Sequence, residues 1–566
     1  MALGAGQLVS GLSVRQGSPA VVVGQAAIDL APPPVKNFAI SAFGANDKTA
    51  LVTGILVVLA IVAAMIGVAA MRRLAYGYAG LVLLAAIGLA AALSRPGATF
   101  GYAVPTILGA AAGAFALSRL IRAAHEATAP SLRSGERPAQ GPAAPPDRYA
   151  GFDSAAPGSV STTPITPPPS PERPQPPEPS EPPEPPRAPQ PDEVGAGSPP
   201  ADTWTYRPPA APGRRRFLVV SGVAAGGAAV AAFAGRELNA RQSVTQARSA
   251  LRIPAPSQPA PPLPAGTDLR VPGLSSFVTP ASSFYRVDTA IVLPEVDPQN
   301  WQLHIHGMVE REITISFAEL LRKPLIEHYV TLTCVSNPVA GPYVGSAKWL
   351  GASLASIIRS ARPKAGATQL LCTSVDGFTS GTPIQVVLDG RDALLAVAMN
   401  GSPLPVQHGF PARMVVPGLY GYVSATKWVT DINVTTFEAE TAYWAQRGWS
   451  QEAPIKTESR IDVPLGGSTI KAGRTAVAGV AWAQHTGIDA VEVRVDQGAW
   501  HRATLAAVPG IDTWRQWVWY WDATAGTHVI EARATDASGY TQTAAQAPPE
   551  PNGATGYPST TTAVRT

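Results

Sequence analysis

Residues 400–432 read NGSPLPVQHGFPARMVVPGLYGYVSATKWVTDI, and this stretch contains a concentrated set of polar and cationic groups. His408 and Arg413 lie five residues apart, a turn rich in glycine and tyrosine follows them, and Lys427 comes near the end. Cationic side chains gathered around glycines, where backbone can approach a ligand closely, suit a phosphorylated ligand. The sequence therefore predicts an anion-binding loop in this part of the chain.

A second stretch, YVTLTCVSNPVAG from Tyr329 to Gly341, presents Cys334 directly after a β-branched run. The run predicts a strand, so the thiol is expected at a strand end. A soft thiolate suits a transition metal. Cys372 is the second of the chain's two cysteines. It is expected to be a buried free thiol in a strand, and a disulfide with Cys334 is the alternative.

Taken together, these segments resemble the molybdopterin-binding core of the sulfite oxidase family. In that family a cysteine after a strand ligates molybdenum, and an HGFPxR motif with a later Lys-Trp pair grips the pterin phosphate. The stretch TPASSFYRVDTA (residues 279–290) resembles the family's first pterin-contacting loop, and SVDGFTSG (residues 374–381) resembles the strand and turn that complete the pocket. The resemblance runs from about residue 270 to residue 545.

The resemblance implies a set of site residues. Cys334 is the implied metal ligand, and Cys334 and Arg286 are the implied catalytic residues. The implied cofactor-binding residues are Ser282, Tyr285, Arg286, Ser374, His408, Arg413, Tyr422, Ser424 and Lys427.

The implied activity is two-electron oxygen-atom transfer to or from a small molecule, of the sulfite oxidation or sulfoxide reduction type, with a molybdenum–molybdopterin cofactor. Two departures from true sulfite oxidases bear on the substrate. The ligand cysteine is followed by Val-Ser-Asn-Pro (residues 335–338) without a cation, and Trp449 stands where the family has a substrate-side tyrosine. Arg286, Lys348 or Arg447 could supply the charge instead. The alternative hypothesis is a non-catalytic, membrane-tethered binding protein that retains the fold.

Composition divides the chain of 566 residues into unlike parts. Hydrophobic content is 46% and charged content 14%, and the apolar runs are concentrated in the first third, at about residues 51–71, 76–93 and 101–121. Each is long enough to predict a transmembrane helix. Many of the 58 prolines lie in residues 128–213, which predicts an extended, disordered linker. The net charge of +4 comes partly from short arginine clusters, so no nucleic-acid partner is expected.

Arginines predict the orientation in the membrane. Arg72, Arg73, Arg119 and Arg122 mark two cytoplasmic helix ends, and residues 214–216 start a fourth apolar run from the same side. The sequence RRRFLVVSG, which opens this run, also resembles a twin-arginine export signal. Everything after the fourth span is therefore expected outside the cytoplasm. The same count puts residues 1–50 outside, and MALGAGQLVSGL at the start is expected to be the remnant of a further helix.

The predicted fold is multi-domain: transmembrane α-helices, a disordered proline-rich linker, an α+β molybdopterin domain and an Ig-like β-sandwich. The predicted boundaries are 1–127 for the membrane region, 128–213 for the linker, 214–236 for the signal and fourth span, 265–453 for the molybdopterin domain, 454–545 for the sandwich and 546–566 for a tail. The tryptophans of residues 514–521 alternate at strand spacing and are expected in the sandwich core or an interface.

Expected partners complete the interpretation. The sandwich resembles the family's dimerisation domain, which implies a homodimer. There is no haem-attachment CxxCH motif, and residues 1–124 lack histidine, so no haem is expected and electrons must pass to a separate cytochrome or quinone-linked protein. His304 and His306 share one face of a predicted strand. They could bind a metal, although structural or surface roles are the simpler interpretation.

Overall fold

The computed structural model describes residues 1–12, 18–32, 35, 47–94, 100–128, 218–223, 225–228, 230–231 and 244–566. The predicted proline-rich linker and the arginines of residues 214–216 lie outside the described residues. The predicted fourth span is described only in part, as a short apolar helix over Leu218–Ala228.

The described residues of the N-terminal region include five helices: α1 (Ala2–Leu12), α2 (Pro19–Leu30), α3 (Asp47–Arg72), α4 (Leu74–Leu93) and α5 (Val104–Thr128). Three segments, Ala50–Arg72, Leu74–Leu93 and Phe100–His125, are long and apolar enough to cross a membrane. They coincide with the three predicted spans. Helix α1 occupies the stretch where a helix remnant was expected, whereas α2 was not predicted.

Small residues determine how the long helices pack. A Cβ atom on Gly77 would lie 2.6 Å from the Cβ of Ala70 in α3 and 2.8 Å from Leu117 in α5. A Cβ atom on Gly88 would lie 3.0 Å from Thr106 at the other end of α5. Such close approach is typical of packing between membrane helices. These two contacts show that α4 runs antiparallel to α5. Helix α4 is also antiparallel to α3, because a single residue separates the two helices and Gly77 packs against Ala70. The arginine-bearing ends of α3 and α5 therefore lie on one side.

The central region contains two sheets. One has the order β2-β1-β10-β5-β6 and the other the order β3-β4-β7-β8, with β9 also paired to β7. The strands are β1 (Gln302–Gly307), β2 (Ile313–Ser316), β3 (Leu325–Thr333), β4 (Val344–Ser353), β5 (Gln369–Ser374), β6 (Thr379–Pro383), β7 (Leu394–Met399), β8 (Ser402–Pro403), β9 (Arg413–Val415) and β10 (Val429–Thr435). Five helices accompany them: α6 (Val244–Ala250), α7 (Phe317–Arg322), α8 (Leu354–Ala361), α9 (Ile384–Leu388) and α10 (Gly421–Ser424).

Local sequence explains these elements. Alternation in β1 buries Leu303 and Ile305 and turns His304 and His306 to the other face, as the period of a strand requires. Helix α7 begins at a capping box in which Ser316 and the side chain of a glutamate exchange hydrogen bonds. Both sheets contribute to one buried apolar core, so the mixed α+β class predicted for this region is observed.

The C-terminal region consists of β-strands in two sheets, ordered β11-β13-β17-β16 and β12-β19-β18-β14-β15. The strands are β11 (Glu458–Val463), β12 (Thr469–Lys471), β13 (Gly473–Trp482), β14 (Ile488–Val495), β15 (His501–Arg502), β16 (Thr504–Leu505), β17 (Arg515–Ala523), β18 (Gly526–Asp536) and β19 (Ser559–Arg565). Residues of both sheets form a common buried core that includes Trp517 and Trp521. Trp514 instead packs against Phe277 of the preceding region.

Two predicted boundaries are wrong. The region predicted as a tail, 546–566, contains β19, which pairs with β18 and β12 inside the second sheet. Its threonine-rich sequence concealed a strand in which Thr560, Thr562 and Val564 are buried. Residues before 265 also belong to the central region, because Arg248 donates to the carbonyls of residues 403 and 404 and the Ser257 amide pairs with β3.

Candidate active site

Cys334 is the first residue after β3 and is buried, as the strand-then-cysteine pattern predicted. Its amide donates to the Tyr343 carbonyl over 2.9 Å, and its own carbonyl accepts the Asn337 amide over 3.1 Å. Burial raises the pKa of the Cys334 thiol, while hydrogen bonds from Ser336 and the charge of Lys427 act in the opposite direction. A metal cation at the sulfur would stabilise the thiolate that burial disfavours.

The end of β3 is held by the C-terminal sheets. The Gln484 amide nitrogen donates to Thr333 Oγ1 over 2.9 Å and to the Thr331 carbonyl over 3.1 Å. The Trp514 backbone amide donates to Thr331 Oγ1 over 2.8 Å. These contacts fix the strand at one and at three residues before the cysteine.

Arg413 and Lys427 are brought side by side by an isolated β-bridge between β9 and the segment just before β10. The Arg413 guanidinium is buried and donates to the carbonyls of His408, Met414 and Ala425 over 3.2–3.3 Å. Within the described part of the chain, no carboxylate pairs with it. Burial lowers the pKa of Arg413 to about 10, so the group retains a charge without an opposing acid.

Lys427 and Arg286 share a carboxylate that the sequence interpretation overlooked. The Asp288 Oδ2 atom lies 2.7 Å from Lys427 Nζ and 2.7 Å from Arg286 Nε. Burial lowers the pKa of Lys427 to about 8. The carboxylate of Asp288 therefore pairs with two cations, Lys427 and Arg286, next to Arg413. The cluster keeps an excess of positive charge. Asp288 stands two residues after Arg286 in the same predicted loop, which was the available signal.

His408 is buried next to this cluster, and its Nε2 lies 3.0 Å from the Ala281 carbonyl. That nitrogen carries the proton and donates, because a carbonyl can only accept. Burial lowers the pKa of His408 to about 4, so the imidazole is neutral near pH 7. Gly409 follows with φ 108°, and a Cβ there would lie 3.0 Å from Arg413 Cβ and 3.1 Å from Lys427 Cβ. Only glycine allows this close approach.

Tyr285 interacts electrostatically with both Cys334 and Arg413. Its pKa is raised by burial and by the charge of Cys334, and lowered by the charge of Arg413. A Cβ on Gly421 would lie 3.8 Å from the Tyr285 hydroxyl and 3.6 Å from the Thr333 carbonyl, so the glycine turn packs directly against the cysteine-bearing strand end. The structure thus gathers Cys334, Tyr285, Arg286, His408, Arg413 and Lys427 into one cluster.

Other residues of the predicted set have different surroundings. Ser282 is exposed. The Ser424 hydroxyl donates to the carbonyls of residues 419 and 420, and the Tyr422 hydroxyl donates to the Ser450 carbonyl over 2.6 Å. Ser374 differs from these, because its buried Oγ has no hydrogen-bond partner in the described part of the chain. Ser282, Tyr422 and Ser424 are therefore not part of the cationic cluster.

The three cations considered for a sulfite anion each have a partner within the protein. Lys348 Nζ lies 2.8 Å from a carboxylate oxygen of Glu327, and Arg286 is paired with Asp288. The Arg447 guanidinium lies 3.6 Å from the centre of the Tyr443 ring. Nearby, Tyr422 and Trp444 line a small pocket together with Phe437 and the residues at positions 369, 381 and 450.

Both cysteines are free, so the disulfide alternative is wrong for this structure. Cys372 is fully buried in β5, as expected, and burial raises its pKa to about 12. It faces the side chains of Ser380 and Thr382. Cys334 is therefore the cysteine next to the cationic cluster.

Comparisons with known proteins agree with the predicted resemblance. Residues 290–444 match the family model of the oxidoreductase molybdopterin binding domain. The mitochondrial sulfite oxidase of Rattus norvegicus is 29% identical over 275 residues, which cover 41% of this chain and 50% of the relative. The chain thus spans half the length of that relative. Among solved structures, the sulfane dehydrogenase SoxCD from Paracoccus pantotrophus aligns with a TM-score of 0.42 and 23% identity over 47% of this chain and 75% of that one.

The match to the sulfite oxidase of Gallus gallus is broader. It is 30% identical over 317 residues, and these cover 46% of this chain and 67% of the relative. The matched family domain includes the cysteine-bearing strand and the segment with His408, Arg413 and Lys427. The chain therefore belongs to the family of sulfite oxidase-like, molybdopterin-dependent oxidoreductases.

Proposed function

We propose that this chain is a molybdenum-cofactor oxidoreductase in which Cys334 ligates the metal and Arg413 and Lys427 hold the pterin phosphate. The observation that carries the proposal is Arg413, a buried cation without a carboxylate partner in the described chain, near a buried thiol. Burying an unpaired charge is costly, and an anionic ligand offsets that cost.

Two buried polar atoms further support a bound cofactor. Among the residues that the structure describes, the Ser374 Oγ atom and the Asn337 Nδ2 atom have no hydrogen-bond partner. Ser374 is aligned with Val429, at the start of the strand that follows Lys427, and Asn337 lies in the turn after Cys334. Buried polar groups are nearly always satisfied, so a ligand rich in amide and hydroxyl groups fits both places.

Each residue of the cluster has a role that follows from its surroundings. Arg413 and Lys427 bind the anion, and Asp288 orients Lys427 and Arg286. Neutral His408 anchors the loop at Ala281. Cys334 fixes the metal through its sulfur. When bound, the cofactor supplies two-electron oxygen-atom transfer, and the protein supplies binding and orientation.

For the substrate we propose a neutral sulfoxide rather than sulfite. The segment after Cys334 carries no cation, and Lys348 and Arg286 are paired with acids. Aromatic side chains of Tyr422 and Trp444 line a small pocket beside α10, the helix whose Gly421 packs against the end of β3, and they suit an apolar sulfur compound. Sulfoxide reduction consumes two electrons and two protons and releases a thioether and water, so a reductant is required.

The proposed setting is a membrane, with the catalytic region on the extracytoplasmic side. Three long apolar helices and their arginine-bearing ends support it. The proposed electron donor is a separate cytochrome or quinone-linked protein, because residues 1–124 contain no histidine to bind a haem. A homodimer through the C-terminal sheets is also proposed, and the oligomeric state in solution tests it.

Metal analysis together with two assays tests the function. The detergent-purified full chain should contain molybdenum and pterin at a ratio near one per chain, and it should reduce methionine sulfoxide with a reduced viologen dye. Faster sulfite oxidation with ferricyanide would refute the substrate assignment alone. A folded, exported chain without molybdenum would favour the non-catalytic binding protein instead.

A further inference from the structure

A cluster of ligand-type side chains lies outside the proposed active site, on the outer face of the first central sheet. His304 and His306 are on β1, and Asp431 is on the neighbouring strand β10. One ligand atom from each of the three residues lies within 4.8 Å of the others. Glu312, just before β2, adds a carboxylate whose Oε2 lies 3.5 Å from His304 Nε2.

Strand register places these groups together. His304 is directly paired with Asp431 in the parallel β1–β10 ladder, and His306 lies two positions further on the same face. On the other side of β1, Ile305 is paired with Ile313, so Glu312 follows in register beside His306. Three adjacent strands thus contribute one group or more to a single patch. The opposite face of the same strands is apolar core, which makes the positions of the backbones well defined.

The distances indicate an almost formed site. Asp431 Oδ2 lies 3.0 Å from His306 Nε2 and 3.5 Å from His304 Nδ1. The two imidazole rings are stacked at 4.7 Å with an angle of 13° between their planes. Zinc ligands at about 2.0–2.2 Å from the ion lie about 3.4 Å apart in a tetrahedron, so the distances of Asp431 from both histidines suit one ion. Asp431 faces Nδ1 of His304 and Glu312 faces Nε2, and an imidazole binds one ion through one nitrogen, so the Glu312 side chain must rotate to reach the same ion.

The chemistry of the ligands selects a class of ion. Two imidazoles and two carboxylates suit zinc and its first-row neighbours, whereas calcium and magnesium require oxygen ligands throughout. The side chains of His304, His306 and Asp431 are about one third to one half exposed, so an ion can enter from solvent. We propose that His304, His306, Asp431 and Glu312 form a binding site for a divalent zinc-class ion, separate from the molybdenum site.

Such an ion would join β1, β2 and β10 at their outer face. Strand β10 follows directly after Lys427 and Trp428, so the ion would be connected through one strand to the segment that binds the pterin phosphate. The expected measurable result is a zinc-dependent increase in the thermal stability of the holoenzyme, since a ligand that binds only the folded state stabilises it.

The test uses the full chain with its cofactor, stripped of loosely bound metal by a chelator. Titration with zinc chloride should show one site per chain and a rise in the melting temperature. The His304→Ala/His306→Ala double variant should lose about 100-fold or more in zinc affinity, because even residues that only support a metal ligand are worth 10–100-fold. His528→Ala is the matched control, since His528 is paired with a single acid, Asp496, over 2.6 Å.

Cobalt distinguishes this site from the cysteine. Co²⁺ held by imidazole and carboxylate gives visible ligand-field bands without a thiolate charge-transfer band, whereas Co²⁺ at Cys334 would show that band. The proposal expects the ligand-field bands alone, and their loss in the double variant. Unchanged zinc binding in the double variant, equal loss in His528→Ala, or no binding by the parent chain would each overturn it.

Discussion

Replacing Arg413 by alanine should empty the cofactor site without unfolding the protein. The contacts of Arg413 with the carbonyls of residues 408, 414 and 425 are 3.2–3.3 Å long, at the weak end of the hydrogen-bond range. Burial lowers its pKa from 12.5 to about 10, which corresponds to about 3 kcal/mol of desolvation cost. The cofactor-free protein loses the weak contacts and is relieved of that cost, so its stability should change little.

The cofactor-loaded protein should be affected more strongly, because it loses a contact with the phosphate. A charge-assisted hydrogen bond to phosphate contributes ~1.5–3 kcal/mol, which corresponds to roughly 10–150-fold in affinity. Arg413→Ala should therefore lower the molybdenum and pterin content of the purified chain, while the turnover of the remaining loaded molecules stays near normal. Arg413→Lys should recover part of the occupancy, because it keeps the charge but cannot reach all the same acceptors.

Arg515→Ala provides the matched control. The Arg515 guanidinium also donates to backbone carbonyls, those of Ala506 and Ile488, over 2.6 and 2.8 Å, but it lies in the C-terminal sheets. Molybdenum by elemental analysis, pterin by the fluorescence of its oxidised form and thermal unfolding of the cofactor-free protein are measured for each variant. Normal pterin content with low turnover in Arg413→Ala, or equal cofactor loss in Arg515→Ala, would refute the phosphate role.

Four further predictions follow from the sequence and the structure. Cys334→Ser should abolish turnover while the pterin remains bound. Cys372→Ser is the control and should keep its activity per molybdenum. Full activity of Cys334→Ser would exclude Cys334 as the metal ligand. Burial lowers the pKa of His408 from 6.5 to about 4, so between these pH values the unfolded chain binds a proton at His408 and the folded chain does not. The free energy of unfolding should therefore fall by about 3 kcal/mol as the pH is lowered through this window. His408→Gln should remove that slope in chemical denaturation, and an unchanged slope contradicts the reasoning. Replacing the three arginines of residues 214–216 by lysine keeps the positive charge but removes a twin-arginine signal, so export of the catalytic region should fail. Protection of that region from protease added outside the cells measures export. Normal export would mean that these arginines act only as a topological anchor. An absorption spectrum of the purified chain should lack a Soret band, and stoichiometric haem would overturn the expectation of a separate electron carrier.

Short stretches of sequence were sufficient to predict those structural features that depend only on neighbouring residues in the chain. The apolar runs of the first third gave the three long helices, because hydrophobic length alone decides which helices are suited to a membrane. The β-branched run before Cys334 gave a strand that ends at Thr333. Alternation put His304 and His306 on one face, since successive side chains of a strand point to opposite sides.

Other features depended on pairing between distant segments. Asp288 meets Lys427 across 139 positions of sequence, and Gln484 supports Thr333 from the loop after β13. The sequence did not predict β19, because a threonine-rich segment is typical of a solvated tail. Alternate residues of this segment are buried only because it pairs with β18. No local pattern encodes these contacts.

The sequence by itself determined the family, the cysteine and the cationic motif, since these are properties of short segments read in order. Only the tertiary structure decided which members of that motif act together. It left Arg413 without a carboxylate partner in the described chain and gave Lys427 a carboxylate that Arg286 shares. It turned Tyr422 and Ser424 toward backbone carbonyls instead. The physical reason is that burial and counter-charge are set by the neighbours of a side chain in space, and strand pairing over long separations decides those neighbours.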